Sequence, residues 1–264
     1  MKLTKKIAVI TGAGRGIGES IAHAFADEGA DLILTARTRQ QLDRVADDIK
    51  AKNRNAAAIT CDVSSPIEVE KLAASVKEKF SRVDILVNNA GISRRSALLD
   101  YDDDTWLEVI RVNLFGVYLC SKALLPIMQQ TGAGRIINIA STAGKTPVPF
   151  NTAYSASKHG VLGFTKSLAS EVALSGYPDI TVNAVCPFFV ETEMFRGPDG
   201  YLAQMSKMVG LSEKDVQDKV VGRSLQKRVL EPDEVAAMTL YLASDDARGV
   251  TGQAFNICGG RVFH

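Results

Sequence analysis

The sequence predicts an α/β fold: one doubly wound parallel sheet of about seven strands, with helices on both faces. Three observations predict it. Short apolar runs alternate with longer amphipathic stretches along the whole chain. The short runs are apolar throughout, as strands covered on both faces must be. A glycine-rich turn joins the first run to the first helical stretch, the arrangement that presents backbone N–H groups to an anion.

The strand candidates are 7–11 (IAVIT), 32–36 (LILTA), 56–60 (AAAIT), 84–88 (DILVN), 135–140 (RIINIA), 180–186 (ITVNAVC) and 253–257 (QAFNI). Between them, 17–28, 39–52, 66–80, 100–130, 153–175 and 232–243 carry helical periodicity. Pro66 and Pro232 stand where a first helical turn tolerates proline, behind Ser65 and Glu231. The connections suit right-handed crossovers in a parallel sheet. Residues 188–230 form the one long irregular stretch, with helical pieces of its own, and read as a lid over the crevice beyond the strand ends. No linker, repeat or low-complexity tract divides the chain, so 1–264 is expected to be a single domain.

Composition narrows the function classes. The formal net charge is +1, with both signs mixed, which favours neither nucleic acid nor an anionic membrane as a partner. The N-terminal "IAVI" is too short for a secretory core, and no run reaches the ~18 apolar residues of a membrane span. Cys61, Cys120, Cys186 and Cys258 are scattered without a CxxC pair. They read as buried reduced thiols of a cytoplasmic protein, and no metal site is indicated.

The turn "TGAGRGIG" (11–18) places Gly12, Gly16 and Gly18 in a G-x-x-x-G-x-G pattern, with Ile17 between the last two. A site for NAD would carry an acid at the end of the second strand to hold the ribose 2′-OH. Here Ala36 is followed by Arg37, with Arg39 nearby and Arg15 in the turn. Guanidiniums suit a 2′-phosphate, so NADP(H) is expected over NAD(H). Further along, "AYSASKHG" (153–160) sets Tyr154 and Lys158 four residues apart, hence on one helix face. A cation within roughly 4–6 Å favours the phenolate, and bringing a phenol to neutral pH takes about 4 kcal/mol. Such a pair suits general acid–base work, and Ser141, at the end of the fifth strand run, could donate to a developing oxyanion.

Six segments, "TGAGRGIG", "CDV" (61–63), "NNAG" (88–91), "VNLFG" (112–116), "NIAS" (138–141) and "YSASK" (154–158), occur in order over nearly the whole chain. Together they resemble the short-chain dehydrogenase/reductase family. The resemblance implies a Rossmann-type domain in which Tyr154 is the general acid or base, Lys158 lowers its pKa and holds the nicotinamide ribose, Ser141 donates to the substrate oxygen, and Asn113 positions a relay water. It implies cofactor contacts from Gly12, Arg15, Gly16, Ile17, Gly18 and Arg37, from Asp62 and Val63 at the adenine, and from Asn88, Ala90 and Gly91 beside the sheet. Val190 and Thr192 would lie against the carboxamide, with Pro187, Tyr154 and Lys158 completing the set. It also implies a homo-oligomer, commonly a tetramer joined by the long helices and the last strand.

The substrate is expected to be a ketone, most closely a 3-oxoacyl thioester, delivered on a carrier protein or CoA, or a polyketide-like molecule. The motifs "GRIINIASTAGK", "TVNAVCP" and "NICGG" are similar to those of β-keto acyl and aromatic polyketide ketoreductases. Arg94, Phe188, Phe189, Met194, Tyr201 and Met205 are the expected substrate contacts, Phe188 standing where the family usually carries glycine. Arg94 and Arg95 could also meet an acidic carrier. A catabolic secondary-alcohol dehydrogenase is the competing enzyme reading, and a cofactor-sensing protein without chemistry the third. The acidic "YDDDTW" (101–106) reads as a helix cap, Asn89 and Asn138 as structural hydrogen-bonders, and His23 and His159 as packing or solvated.

Overall fold

The computed structural model describes residues 1–264 and contains one sheet. Its strands are β1 (Ile7–Thr11), β2 (Asp31–Ala36), β3 (Ala56–Thr60), β4 (Ile85–Asn88), β5 (Ala133–Ile139), β6 (Asp179–Pro187) and β7 (Ala254–Ile257). They lie in the order β3-β2-β1-β4-β5-β6-β7, every pair parallel. The chain winds outward in one direction from β1 and in the other from β4. The crevice between those strands, beyond their carboxyl ends, is where such a sheet binds ligands.

Helices cover both faces: α1 (Gly16–Asp27), α2 (Arg39–Lys50), α3 (Pro66–Phe80), α4 (Asp103–Ile110), α5 (Gly116–Gln129) and α6 (Thr152–Leu174). The later ones are α7 (Glu193–Arg196), α8 (Tyr201–Val209), α9 (Glu213–Val221) and α10 (Pro232–Ala243). Strand side chains alternate between faces, as the pleat requires. Ala8, Ile10, Leu32, Leu34 and Ile137 pack with α1, α2 and α10, whereas Val9, Ile33, Leu86, Ile136 and Val182 pack with α3, α5 and α6. Both faces are buried, which is why these strands read as unbroken apolar runs.

Local signals set the helix ends. Ser65 Oγ accepts from the Glu68 amide (3.3 Å) ahead of Pro66, and Asp102 accepts from the Thr105 amide (2.8 Å), so the acidic "YDDDTW" is a cap. The helix predicted over 100–130 is interrupted. Between α4 and α5, Arg111–Phe115 form a π-helical turn, and its wider winding places Val112 and Asn113 in the interior. Periodicity over a long window averages such a bulge away. The joined stretch Asp103–Gln129 is, by length and composition, apolar enough to cross a bilayer, which corrects the expectation that no run was. Half of that window is buried here, with Leu119, Cys120, Leu124 and Met128 against the sheet.

Gly12 and Gly18 are set by close approach. Gly12 has φ +65°, and a Cβ on Gly18 would lie 2.2 Å from the Gly12 carbonyl oxygen and 2.5 Å from Asn89 Nδ2. The backbone must therefore yield for any side chain at 18. Gly18→Ala is expected to lower stability by about 1–3 kcal/mol and the Tm by several degrees. Thermal and urea melts check this; an unchanged Tm would refute the contact.

Candidate active site

The site assembles where the loops after β1, β4, β5 and β6 meet, and buried polar ties hold those loops in register. Thr11 Oγ1 accepts from the amides of Asn89 (2.9 Å) and Ala90 (3.0 Å), while Asn89 Nδ2 donates back to the Thr11 and Gly12 carbonyls (3.0 and 3.1 Å). Below, Asn88 Nδ2 donates to Ser121 Oγ (3.1 Å) and Asn138 Oδ1 (2.9 Å), and Asn138 Nδ2 donates to Thr165 Oγ1 (2.9 Å) on α6. Asn113 completes the frame: its amide accepts from the Ile92 N–H (2.8 Å) and donates to the Ile92 carbonyl (2.9 Å) and Ser157 Oγ (3.2 Å).

That frame positions the first turns of α6. Tyr154, half-buried, and Lys158, fully buried, face the cleft with Ser141. Lys158 Nζ donates to the Ile139 carbonyl (2.7 Å) and lies 5.6 Å from the Tyr154 ring centroid. Burial without a carboxylate partner pulls the lysine down to about 8. Burial likewise pushes the Tyr154 phenol up, opposed by the Ser141 hydroxyl and by the charge of Arg95. The phenol is thus a protonated donor at neutral pH. Ser141 Oγ accepts from the Ala143 amide (3.1 Å), and its own proton makes a long contact to the Pro187 carbonyl (3.4 Å).

The cleft, of about 370 Å³, runs from this group past the glycine turn to the end of β2. Gly12, Arg15, Gly16, Ile17, Arg37, Asp62, Val63, Ala90, Gly91, Pro187, Val190 and Thr192 line it. No side chain caps the N-terminus of α1, so its first amides point outward unpaired. Together with the glycine turn, this cradle fits a dinucleotide pyrophosphate. Of the three arginines at this end, Arg39 is bound to Asp43 (2.8 Å), and Arg15 is paired with Glu193 at the start of α7. Arg37 is exposed in the lining.

Several expected contacts lie elsewhere. Asn88 is a buried strut between strands and helices, and Gly18 a packing requirement behind the turn. Asn113 is fully buried behind the cleft and holds the 92 backbone. Arg94 turns outward toward Glu108 (3.8 Å), whereas its neighbour Arg95 lines the cleft. In an irregular loop, no periodicity tells which of two adjacent arginines faces inward. Phe188, Phe189, Met194 and Tyr201 line the cleft at the end nearest the lid, whereas Met205 packs within the lid. Phe188 meets Phe189 edge-on (4.5 Å) and packs against both the body and the lid. Its backbone is outside the left-handed region, so the position needs no glycine. Unforeseen lining residues include Asn151, just before α6, and Gln204, Arg223 and Arg261, brought in by the lid and the C-terminal tail. The four cysteines are free and buried, Cys61 pushed by burial to about 11 and Cys120 to about 12.

Crevice, cradle and Ser–Tyr–Lys group define an oxidoreductase of the dinucleotide-binding class. A family model described as short chain dehydrogenase matches residues 6–199. A Streptomyces violaceoruber protein named as ketoacyl reductase 1 of the granaticin polyketide synthase is 43% identical over 258 residues, covering 97% of this chain and 93% of the relative. The 3-oxoacyl-[acyl-carrier-protein] reductase of Synechocystis sp. is 39% identical, covering 98% of each chain. A crystal structure of an actinorhodin polyketide ketoreductase variant with NADPH superposes with a TM-score of 0.91, at 41% identity over 97% of each chain. The chain belongs to the short-chain dehydrogenase family.

The buried amine at Lys158 has a stability signature. Below about pH 8 the folded protein carries a buried charge that the unfolded chain hydrates freely. Between about 8 and the ordinary 10.5 the unfolded chain binds the extra proton, so stability rises with pH across that window. Lys158→Met is expected to be more stable than the parent by roughly 3 kcal/mol at pH 7. The difference should shrink as pH approaches 10, as followed by urea melts at stepped pH. A gap independent of pH would show that the amine is not the source.

Proposed function

We propose that this protein is a cytoplasmic, homotetrameric NADPH-dependent ketoreductase acting on a 3-oxoacyl thioester or a polyketide-like ketone, with Tyr154 as general acid. The observation that carries this reading is a protonated Tyr154 beside Ser141 and Lys158 at the mouth of a dinucleotide cleft that ends at Arg37 with no neighbouring acid on the strand. The names of the relatives supply the ketone class; the residues supply the mechanism.

A bound nicotinamide cofactor supplies the hydride. Ser141 donates a hydrogen bond to the ketone oxygen as negative charge develops there. Tyr154 transfers its phenolic proton to the same oxygen, giving the alcohol. The phenolate left behind is stabilised by the nearby Lys158 ammonium and by the Arg95 charge, until a proton from solvent restores it. A phenol held above its ordinary range favours this direction at neutral pH, since it arrives protonated. Arg37 would hold the ribose 2′-phosphate through its planar fork.

Support for self-association comes from exposed apolar side chains on and beside the outer surface of α4 and α5. Leu98, Leu99, Leu107, Phe115 and Tyr118 are exposed, as is Phe263 at the C-terminus. Four buried free thiols suit a reducing compartment.

Matched NADPH and NADH assays, with an acetoacetyl thioester and with decalone, test the reading. NADPH oxidation with either ketone supports it; NAD+ reduction by simple secondary alcohols alone would replace it with a catabolic dehydrogenase. Tyr154→Phe should lose about 10²–10⁴-fold in kcat while binding NADPH unchanged by fluorescence titration. Arg37→Ala should weaken NADPH by about tenfold or more and leave NADH nearly unaffected. Light scattering on an eluting peak should give four chains; a monomer would remove the assembly from the proposal.

A further inference from the structure

We infer that the substrate end of this cleft binds an anionic group, and that Arg95 selects ketones carrying a carboxylate in the same molecule. The inference rests on the ketoreductase reading and adds a substrate class to it. Arg95 lies in the loop after β4, with its guanidinium over the Tyr201 ring, 4.4 Å from the centroid. Its amide donates to Gln204 Oε1 (3.1 Å), so loop and lid hold it between them. With the Asn151 amide oriented to donate to the Arg94 carbonyl (2.8 Å), its oxygen accepts from Ser93 Oγ (3.1 Å) and from Arg95 Nη2 (3.3 Å). Nη1 meets only the Met205 sulfur, at 4.0 Å. Most of the fork is without a strong acceptor.

Charge around the cleft is lopsided. Its lining holds two carboxylates, Asp62 and Glu193. Asp62 is engaged with Ser64 (2.7 Å), and Glu193 is paired with Arg15. Nearby Arg94 and Arg196 each have a carboxylate partner, Glu108 and Glu191. Arg95, Arg223 and Arg261 line the cleft without one, and Arg223 acts electrostatically on Tyr201 together with Arg95. A half-buried guanidinium without an acid is unfavourable unless a ligand completes it. Stacked on an aromatic face, it offers its edge as a planar fork, the geometry that grips a carboxylate through two parallel hydrogen bonds. Arg95 also reaches Tyr154 electrostatically, so the anionic group would sit in the same chamber as the reacting carbonyl. Phe189 and Phe195, packed on Tyr201 at 4.3–5.9 Å, give that chamber apolar walls for the rest of the molecule.

The test compares benzoylacetate with its ethyl ester, which shares the reacting ketone and lacks the charge. The parent enzyme should prefer the acid by about tenfold or more in kcat/KM. Arg95→Gln should erase that preference through KM for the acid, with a smaller loss on the ester in kcat from the weakened charge near Tyr154, and Arg95→Lys should keep part of the preference. Ester turnover reports whether each variant is folded and catalytic. Equal use of acid and ester by the parent, or an equal loss on both in Arg95→Gln, would overturn the inference while leaving the ketoreductase reading intact. If neither compound is reduced, the ketoreductase reading fails for them, and calorimetry decides Arg95 separately. Benzoylacetate binding to the protein with NADP+ present, weakened in Arg95→Gln, supports the anion site; undetectable binding to the parent refutes it.

Discussion

The ladder of buried amides and hydroxyls from Asn88 through Asn138 to Thr165 fixes where the chemistry of this protein can happen. It joins the two strands at the centre of the sheet to α6, the helix that carries Tyr154 and Lys158. Apolar packing alone would hold α6 against the sheet but would resist sliding only weakly, since hydrophobic contact has no direction. Hydrogen bonds between buried polar groups have direction, and breaking one strands an unsatisfied partner in the core. Asn113 adds a second anchor, from the π-helical turn to the loop after β4 and to Ser157, one turn of helix along from the tyrosine. Asn88, Asn138 and Thr165 do not themselves line the cleft. The ladder keeps a parallel sheet and one helix in a register that brings Ser141 beside the phenol.

With that register fixed, the electrostatics of the site follow from burial. Lys158 is held by a single carbonyl and has no acid near it, so its charge costs stability that a methionine would not. Tyr154 is held protonated by the same dry surroundings. Both effects act against folding or against ionisation, and both suit a site that delivers a proton and then shelters the phenolate. Function is placed here at the expense of stability, and the apolar layers on either face of the sheet offset it.

The lid gives the other half of the cleft its character. Phe188 joins body to lid without needing glycine at its position, and Tyr201 is gripped between Phe189, Phe195 and Arg95. The cleft therefore passes from a cradle of backbone amides at α1 to an aromatic chamber with unpaired arginines. An apolar molecule bearing one negative charge complements that second chamber in shape and in sign.

By itself the sequence determined the layer architecture, the seven strands, most helix bounds and the Ser141, Tyr154 and Lys158 group, because each leaves a local trace. Strands buried on both faces are apolar throughout, proline and serine mark helix starts, and the tyrosine and lysine are bound to one helix face by their spacing. Tertiary structure alone decided what depends on which way a side chain turns in an irregular segment. Arg95, not Arg94, enters the cleft because the loop is pinned by Asn113 and Asn151, and Arg39 turns away because Asp43 is within reach. Asn88 became a strut because its partners come from β5 and α5, far along the chain. The π-helical turn at Asn113 escaped for the same reason: a single wide turn barely perturbs the pattern around it, yet the burial of one amide depends on it.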